Sequence, residues 1–241
     1  MIRDISHKTL GLSFFLLTIG TVGGWAMVSL IAGDKAAFSF LTIGSLIQAI
    51  IFLSQLSVYL YMRKRIVFQL IFLAMCGLSL AWFMFSLVSP ILWLNVVDNK
   101  IKFLILMVLL ILIASNVAES FRVFEKRWNG LEATVRIKRL GVTGDTINWD
   151  KLINSMRLEA NMYIPGFSQG FSLVVSIFML VFMVLGFNLR HVYPVFSTFA
   201  WGIPSALMVA YLFQLIGLNL AQANKVRMLE KEYKVIFRQK M

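Results

Sequence analysis

Long apolar runs separated by short polar breaks occupy most of the chain between Leu10 and Leu220. Six of them approach the roughly 20 residues that a helix needs to cross about 30 Å of hydrocarbon. They fall at 10–32, 38–61, 66–88, 101–118, 164–187 and 192–220. The pattern predicts an all-α, polytopic integral membrane protein with about six transmembrane helices, forming one domain over residues 1–241. Pro204 removes one backbone donor from the sixth run. The apolar connection Ser89–Lys100 is expected to break at Pro90 and then follow the interface, with Trp93 at headgroup depth.

One interval departs from this pattern. Between Glu119 and Tyr163, Phe121, Phe124, Trp128, Leu131 and Val135 recur at intervals of 3, 4, 3 and 4, which is a single seam along a helix. The fourth helix is therefore expected to continue beyond Gly130, a residue that weakens a helix by about 1 kcal/mol relative to Ala. "LGVTGDT" then ends it, and Asn148 is placed to cap a second helix, "WDKLINSMRLEANMY". The product is a helical hairpin over 119–163. Its seam must be covered by Ile153, Met156 and Met162 of the returning segment or by a partner protein, because an open row of this kind would be a continuous apolar patch. The tail, 221–241, places Val226, Leu229, Tyr233 and Ile236 on one helical face among cations. It reads as a basic amphipathic helix suited to anionic headgroups or to the hairpin.

Composition supports the membrane reading. The 241 residues are 59% hydrophobic with mean hydropathy +0.82, above the roughly 45–50% of soluble domains. The first run is as long as a full span, so it is expected to stay as a helix and not to be removed as a signal peptide. The net charge of +12 comes with a strong asymmetry: of 23 Lys and Arg, nineteen fall on the side holding both termini and the 119–163 interval, and four on the other. The positive-inside rule then puts that side in the cytoplasm, and the compact loops point to a bacterial inner membrane. The charge is explained by topology, so nucleic acid is not an expected partner. Membrane lipid, other membrane or cytoplasmic subunits, or further copies of the chain are.

Polar groups inside the runs are sparse. Thr42, Ser45, Gln48, Gln55 and Tyr59 share one face of the second run, and Gln69, Asn116, Gln169 and Gln214 are further neutral amides able to join a network. Helix-to-helix hydrogen bonding or a pore lining would use such a stripe. Gly20 with Gly24, and Gly166 with Gly170, form two G-x-x-x-G pairs that let helices approach closely.

Reactive chemistry is thin. His7 and His191 fall on opposite sides, and Cys76 is the one cysteine, so no metal, cofactor or catalytic residue is expected. The function expected is that of a non-enzymatic subunit or scaffold in a larger membrane assembly, such as a secretion or conjugation machine. It would dock partners through the hairpin and tail, with Phe121, Phe124, Trp128, Leu131 and Val135 as candidate contacts. An oligomeric channel lined by the second helix, and an immunity or sensing protein, are the rival classes.

Overall fold

A computed structural model describes residues 7–61, 65–132, 134–135, 146–156, 158, 162–167 and 169–239. Among these residues there are seven helices: α1 (His7–Ala32), α2 (Asp34–Tyr61), α3 (Ile66–Trp93), α4 (Asn99–Asn129), α5 (Trp149–Met156), α6 (Gln169–Leu189) and α7 (Pro194–Tyr233). Two short strands, β1 (Thr146–Ile147) and β2 (Arg238–Gln239), pair in parallel. Five helices, α1 to α4 and α7, are long and apolar enough to cross a membrane. The fifth expected span coincides with α6, a 21-residue helix that includes the apolar stretch Ile177–Leu189.

Helices α3 and α7 are the central pair; α1 packs on α3, α2 chiefly on α1, and α4 and α6 on α7. The peripheral helices expose large apolar side chains, such as Leu46, Leu53, Leu104, Leu110, Phe178 and Leu180. Lipid tails are as apolar as leucine, so these residues do not drive association, and close packing at small residues must. Gly20 and Gly24 of α1 meet that requirement inside the chain. A Cβ on Gly20 would lie 3.0 Å from Phe83 Cα, and one on Gly24 would lie 2.5 Å from the Phe40 ring. Gly166 of the second pair does not act this way, since a Cβ there would meet nothing within 4 Å. Gly166 has φ +85° and precedes α6, where it occupies the turn closed by the Phe167 N–H on the Ile164 carbonyl at 3.1 Å. Pro165 presets the preceding φ, so Pro-Gly makes the turn that starts the helix. Gly170 is in the first turn of α6.

Several boundaries differ from expectation for identifiable reasons. The third helix does not break at Pro90 but continues to Trp93. Proline leaves the Ser86 carbonyl without its helical donor, and the Ser89 hydroxyl donates to that carbonyl at 2.8 Å instead. Asp98 then starts α4, its side chain accepting from the Lys100 N–H at 2.9 Å. A single residue, Gly33 at φ +83°, joins α1 to α2. At the other end α4 stops at Asn129 and does not run on to Val135. The Gly130 N–H closes on the Lys126 carbonyl at 3.1 Å and the Leu131 N–H on Trp128 at 3.3 Å, a tightened last turn. Thr134 and Val135 are helical again, while 136–145, the stretch assigned to the hairpin's tip, lies outside the described residues. The tail also departs from one continuous helix: α7 ends at Tyr233, and Lys234 turns left-handed with φ 54° and ψ 33°. Phe237 is buried in consequence, whereas Tyr233 and Ile236 of the expected seam are exposed.

Candidate functional site

The polar interval and the tail meet at one end of the bundle. Asn148 caps α5, its Oδ1 accepting from the Lys151 N–H at 3.0 Å, and this sets Trp149, Leu152 and Met156 on one buried face. That face covers the seam of α4. Trp149 stacks on Trp128 with centroids 6.0 Å apart, and Phe124 lies 6.1 Å from Trp128. Phe124 and Trp128 are buried, Phe121 and Leu131 pack partly buried against the same cluster, and Val135 is half-buried. Ile66, Val67 and Leu70 from α3, and Leu218, Ala221 and Val226 from α7, complete it.

Polar bonds fasten this closed knot. Trp149 Nε1 donates to Gln222 Oε1 at 3.2 Å, and the Lys225 ammonium sits 4.9 Å over the Trp128 ring. Glu230 accepts from the Phe237 N–H at 2.9 Å and pairs with Arg65 at 3.3 Å. The Phe237 carbonyl in turn accepts from the Ile66 N–H. Outside the knot, Arg122, Lys126, Arg127, Lys151, Arg227, Lys231, Lys234 and Arg238 are exposed, so a basic shell surrounds an aromatic interior.

The polar face of α2 divides. Gln55 is fully buried: Ser13 donates to its Oε1 at 2.8 Å, and its Nε2 donates to Ser79 Oγ at 2.9 Å and the Met75 carbonyl at 2.8 Å. Gln48 donates to Thr18 at 3.0 Å, and Tyr59 lies 3.3 Å from the His7 ring. These three turn toward α1 and α3. Thr42 and Ser45 are exposed, and Thr42 bonds back to its own helix at the Phe38 carbonyl. The stripe is thus a set of interhelical hydrogen bonds plus two outward hydroxyls, because the face drifts round α2 over five turns.

Beside the knot lies a cavity of about 940 Å³, lined by Glu119, Arg122, Lys126 and Arg127 of α4, by Ser155, Met162 and Tyr163, and by Gln214 of α7. A second cavity of about 550 Å³ lies between α6 and α7, with Met84, Met179, Met183 and Met208 in its wall. Met162 lines both. Its position follows from Asn116, a fully buried residue of α4. Asn116 Nδ2 donates to the Tyr163 carbonyl at 2.8 Å, and its Oδ1 accepts from the Tyr163 N–H at 3.1 Å. A lone amide in an apolar helix was the sequence signal for this clamp; the methionines carried none, since methionine is an ordinary filler of apolar space.

Among the described residues no group of three His, Cys, Asp or Glu side chains is placed to hold a metal ion. Comparison with protein-family models, with curated proteins and with solved structures finds no match to this chain.

Proposed function

We propose that the protein is a non-enzymatic membrane subunit that uses its closed basic end to dock acidic surfaces of partner proteins. The observation that carries this reading is that the aromatic seam is covered by α5 and the tail of the same chain, while exposed cations surround it. The docking surface is thus the basic shell, and Phe124 and Trp128 act by holding that shell in shape. With α6 counted as a sixth span, the positive-inside rule favours a cytoplasmic side for the basic end, as in the bacterial inner-membrane protein we propose. The short strand pair ties the start of α5 to the tail, which makes hairpin and tail one surface.

The channel reading draws less support. Gln48 and Gln55 are engaged by Thr18, Ser13, Ser79 and Met75, so their amides are not available to line a pore.

The test is gentle extraction from native membranes, followed by measurement of the mass and composition of the complex. Subunits co-purifying at fixed stoichiometry, and lost on the double substitution Arg227→Glu and Lys231→Glu, support docking through the shell. A pure homo-oligomer would put the channel first, and a lone monomer would end the subunit proposal.

A further inference from the structure

We infer that the two cavities form one site for an anionic amphiphile: a phospholipid whose headgroup carries both a phosphate and free hydroxyls. The site shares Arg122, Lys126 and Arg127 with the basic shell but needs no protein partner, so it does not rest on the docking proposal.

The first argument is adjacency. Met162 belongs to the wall of both cavities, and Asn116 holds the chain at Tyr163 by two hydrogen bonds. A polar chamber and an apolar chamber therefore share a wall held by buried bonds. Their volumes, about 940 and 550 Å³, are of the size that organic ligands occupy.

The second is chemistry. Arg122, Lys126 and Arg127 face the first chamber against one carboxylate, Glu119. The carboxylate lies 3.9 Å from Arg122, which leaves Lys126 and Arg127 in excess for a phosphate. Gln214 lines the same chamber; it is 3% exposed, and its Oε1 is buried without a hydrogen-bond partner. An orphaned buried acceptor is costly, and a donor that reaches it, such as a headgroup hydroxyl, satisfies it. A fully ionised phosphate has no proton to give and would leave this oxygen unpaired.

The third is length. Ser205, in the wall of the apolar chamber, precedes Gln214 on α7 by nine residues, or about 14 Å along the axis. That is close to half of the roughly 30 Å hydrocarbon core, the depth of one leaflet. The methionine wall suits a flexible acyl chain because thioethers adapt to irregular apolar shapes.

The full chain, purified in neutral detergent and stripped of lipid, is titrated by native mass spectrometry with four probes. These are phosphatidylglycerol, phosphatidic acid and phosphatidylcholine of identical chains, and glycerol phosphate alone. The expected result is one phosphatidylglycerol per chain, held at least tenfold more tightly than phosphatidylcholine and severalfold more tightly than phosphatidic acid, with glycerol phosphate at least a hundredfold weaker. Lys126→Glu with Arg127→Glu abolishes the preference over phosphatidylcholine. Gln214→Leu abolishes only the preference over phosphatidic acid. Met179→Trp, which fills the apolar chamber, weakens all three lipids about tenfold. If Met179→Trp does not fold, Met183→Phe gives the same reading with a smaller intrusion. Equal affinity for the three lipids, or equal binding of glycerol phosphate and phosphatidylglycerol, overturns the proposal. So does unchanged affinity in a folded chamber-filling variant.

Discussion

The side-chain amide of Asn116 pairs with the backbone of Tyr163 as a neighbouring β-strand would, giving one hydrogen bond and taking another across 47 positions of sequence. Tyr163 lies in non-helical chain just before the Pro-Gly turn that leads into α6. Irregular backbone away from water is tolerated where its polar groups are satisfied internally, and Asn116 does this for both groups of Tyr163.

Replacing Asn116 with Leu therefore removes both bonds to Tyr163 at once, along with the amide's bond to the Leu112 carbonyl of its own helix. An unsatisfied buried backbone group costs about 1–3 kcal/mol, while interhelical hydrogen bonds measured inside membranes average about 0.6 kcal/mol. A loss of about 2 kcal/mol is expected in reversible detergent unfolding, together with faster hydrogen exchange at the Tyr163 amide. Unchanged exchange at that amide would remove the clamp from the account.

Ser89 and Pro90 give a second prediction, in the form of a cycle. The Ser89 hydroxyl donates to the Ser86 carbonyl that Pro90 cannot reach. Ser89→Ala should cost about 1 kcal/mol, the usual net value of a hydrogen bond. In a Pro90→Ala background the restored N–H reaches Ser86, and the same substitution should cost close to nothing. The coupling between the two changes is the quantity to measure. A cycle with no coupling would mean that Ser86 is satisfied some other way.

These two cases show what periodicity can and cannot reveal. Apolar runs gave the helices because hydrocarbon length is a one-dimensional property, and Asn148 gave the α5 cap because capping is local. The end of α4 at Asn129 was not legible: the Phe124 to Val135 spacing fits a longer helix, and a glycine such as Gly130 weakens a helix without necessarily ending it. The break at Pro90 was misplaced because proline's lost donor can be replaced by a serine one residue away. The cavities were invisible for a deeper reason. Met84, Met179, Met183 and Met208 are brought together by the packing of α3, α6 and α7, with Met162 added from the chain before α6, and no interval along the chain records it.

The buried Gln55 supports a third prediction, one that separates packing from conduction. Gln55→Leu removes three hydrogen bonds, yet Ser13 and Ser79 remain 2.6 Å apart and can satisfy each other. Only the extra bond to the Met75 carbonyl goes unreplaced. The expected cost is about 1 kcal/mol, with ion flux through protein-containing liposomes unchanged. A large change in flux on Gln55→Leu or Gln48→Leu would show that these amides line a conducting path.

The final prediction concerns the turn after α7, where one carboxylate has two tasks. Glu230 accepts from the Phe237 N–H with Oε1 and pairs with Arg65 through Oε2. The Arg65 side chain is 39% exposed, so solvent screens the ion pair and its share should be at most about 1 kcal/mol. The bond to Phe237 is more consequential, because it holds the segment that buries Phe237 and carries β2 to β1. Glu230→Gln retains an acceptor for Phe237 and loses the charge, and its cost should fall at or below about 1 kcal/mol. Glu230→Ala loses both and should cost about 2 kcal/mol or more, through an unpaired backbone donor and loss of Phe237 packing. The same turn holds Lys234 at φ 54°, a conformation that costs an ordinary residue about 1 kcal/mol or more. Lys234→Gly should therefore raise stability by a few tenths to about 1 kcal/mol, despite glycine's larger unfolded-state entropy. Trp fluorescence during denaturation reads all three, since Trp128 and Trp149 sit in the knot that this turn closes. Equal losses for Glu230→Gln and Glu230→Ala would show that the ion pair, and not the Phe237 bond, holds the tail.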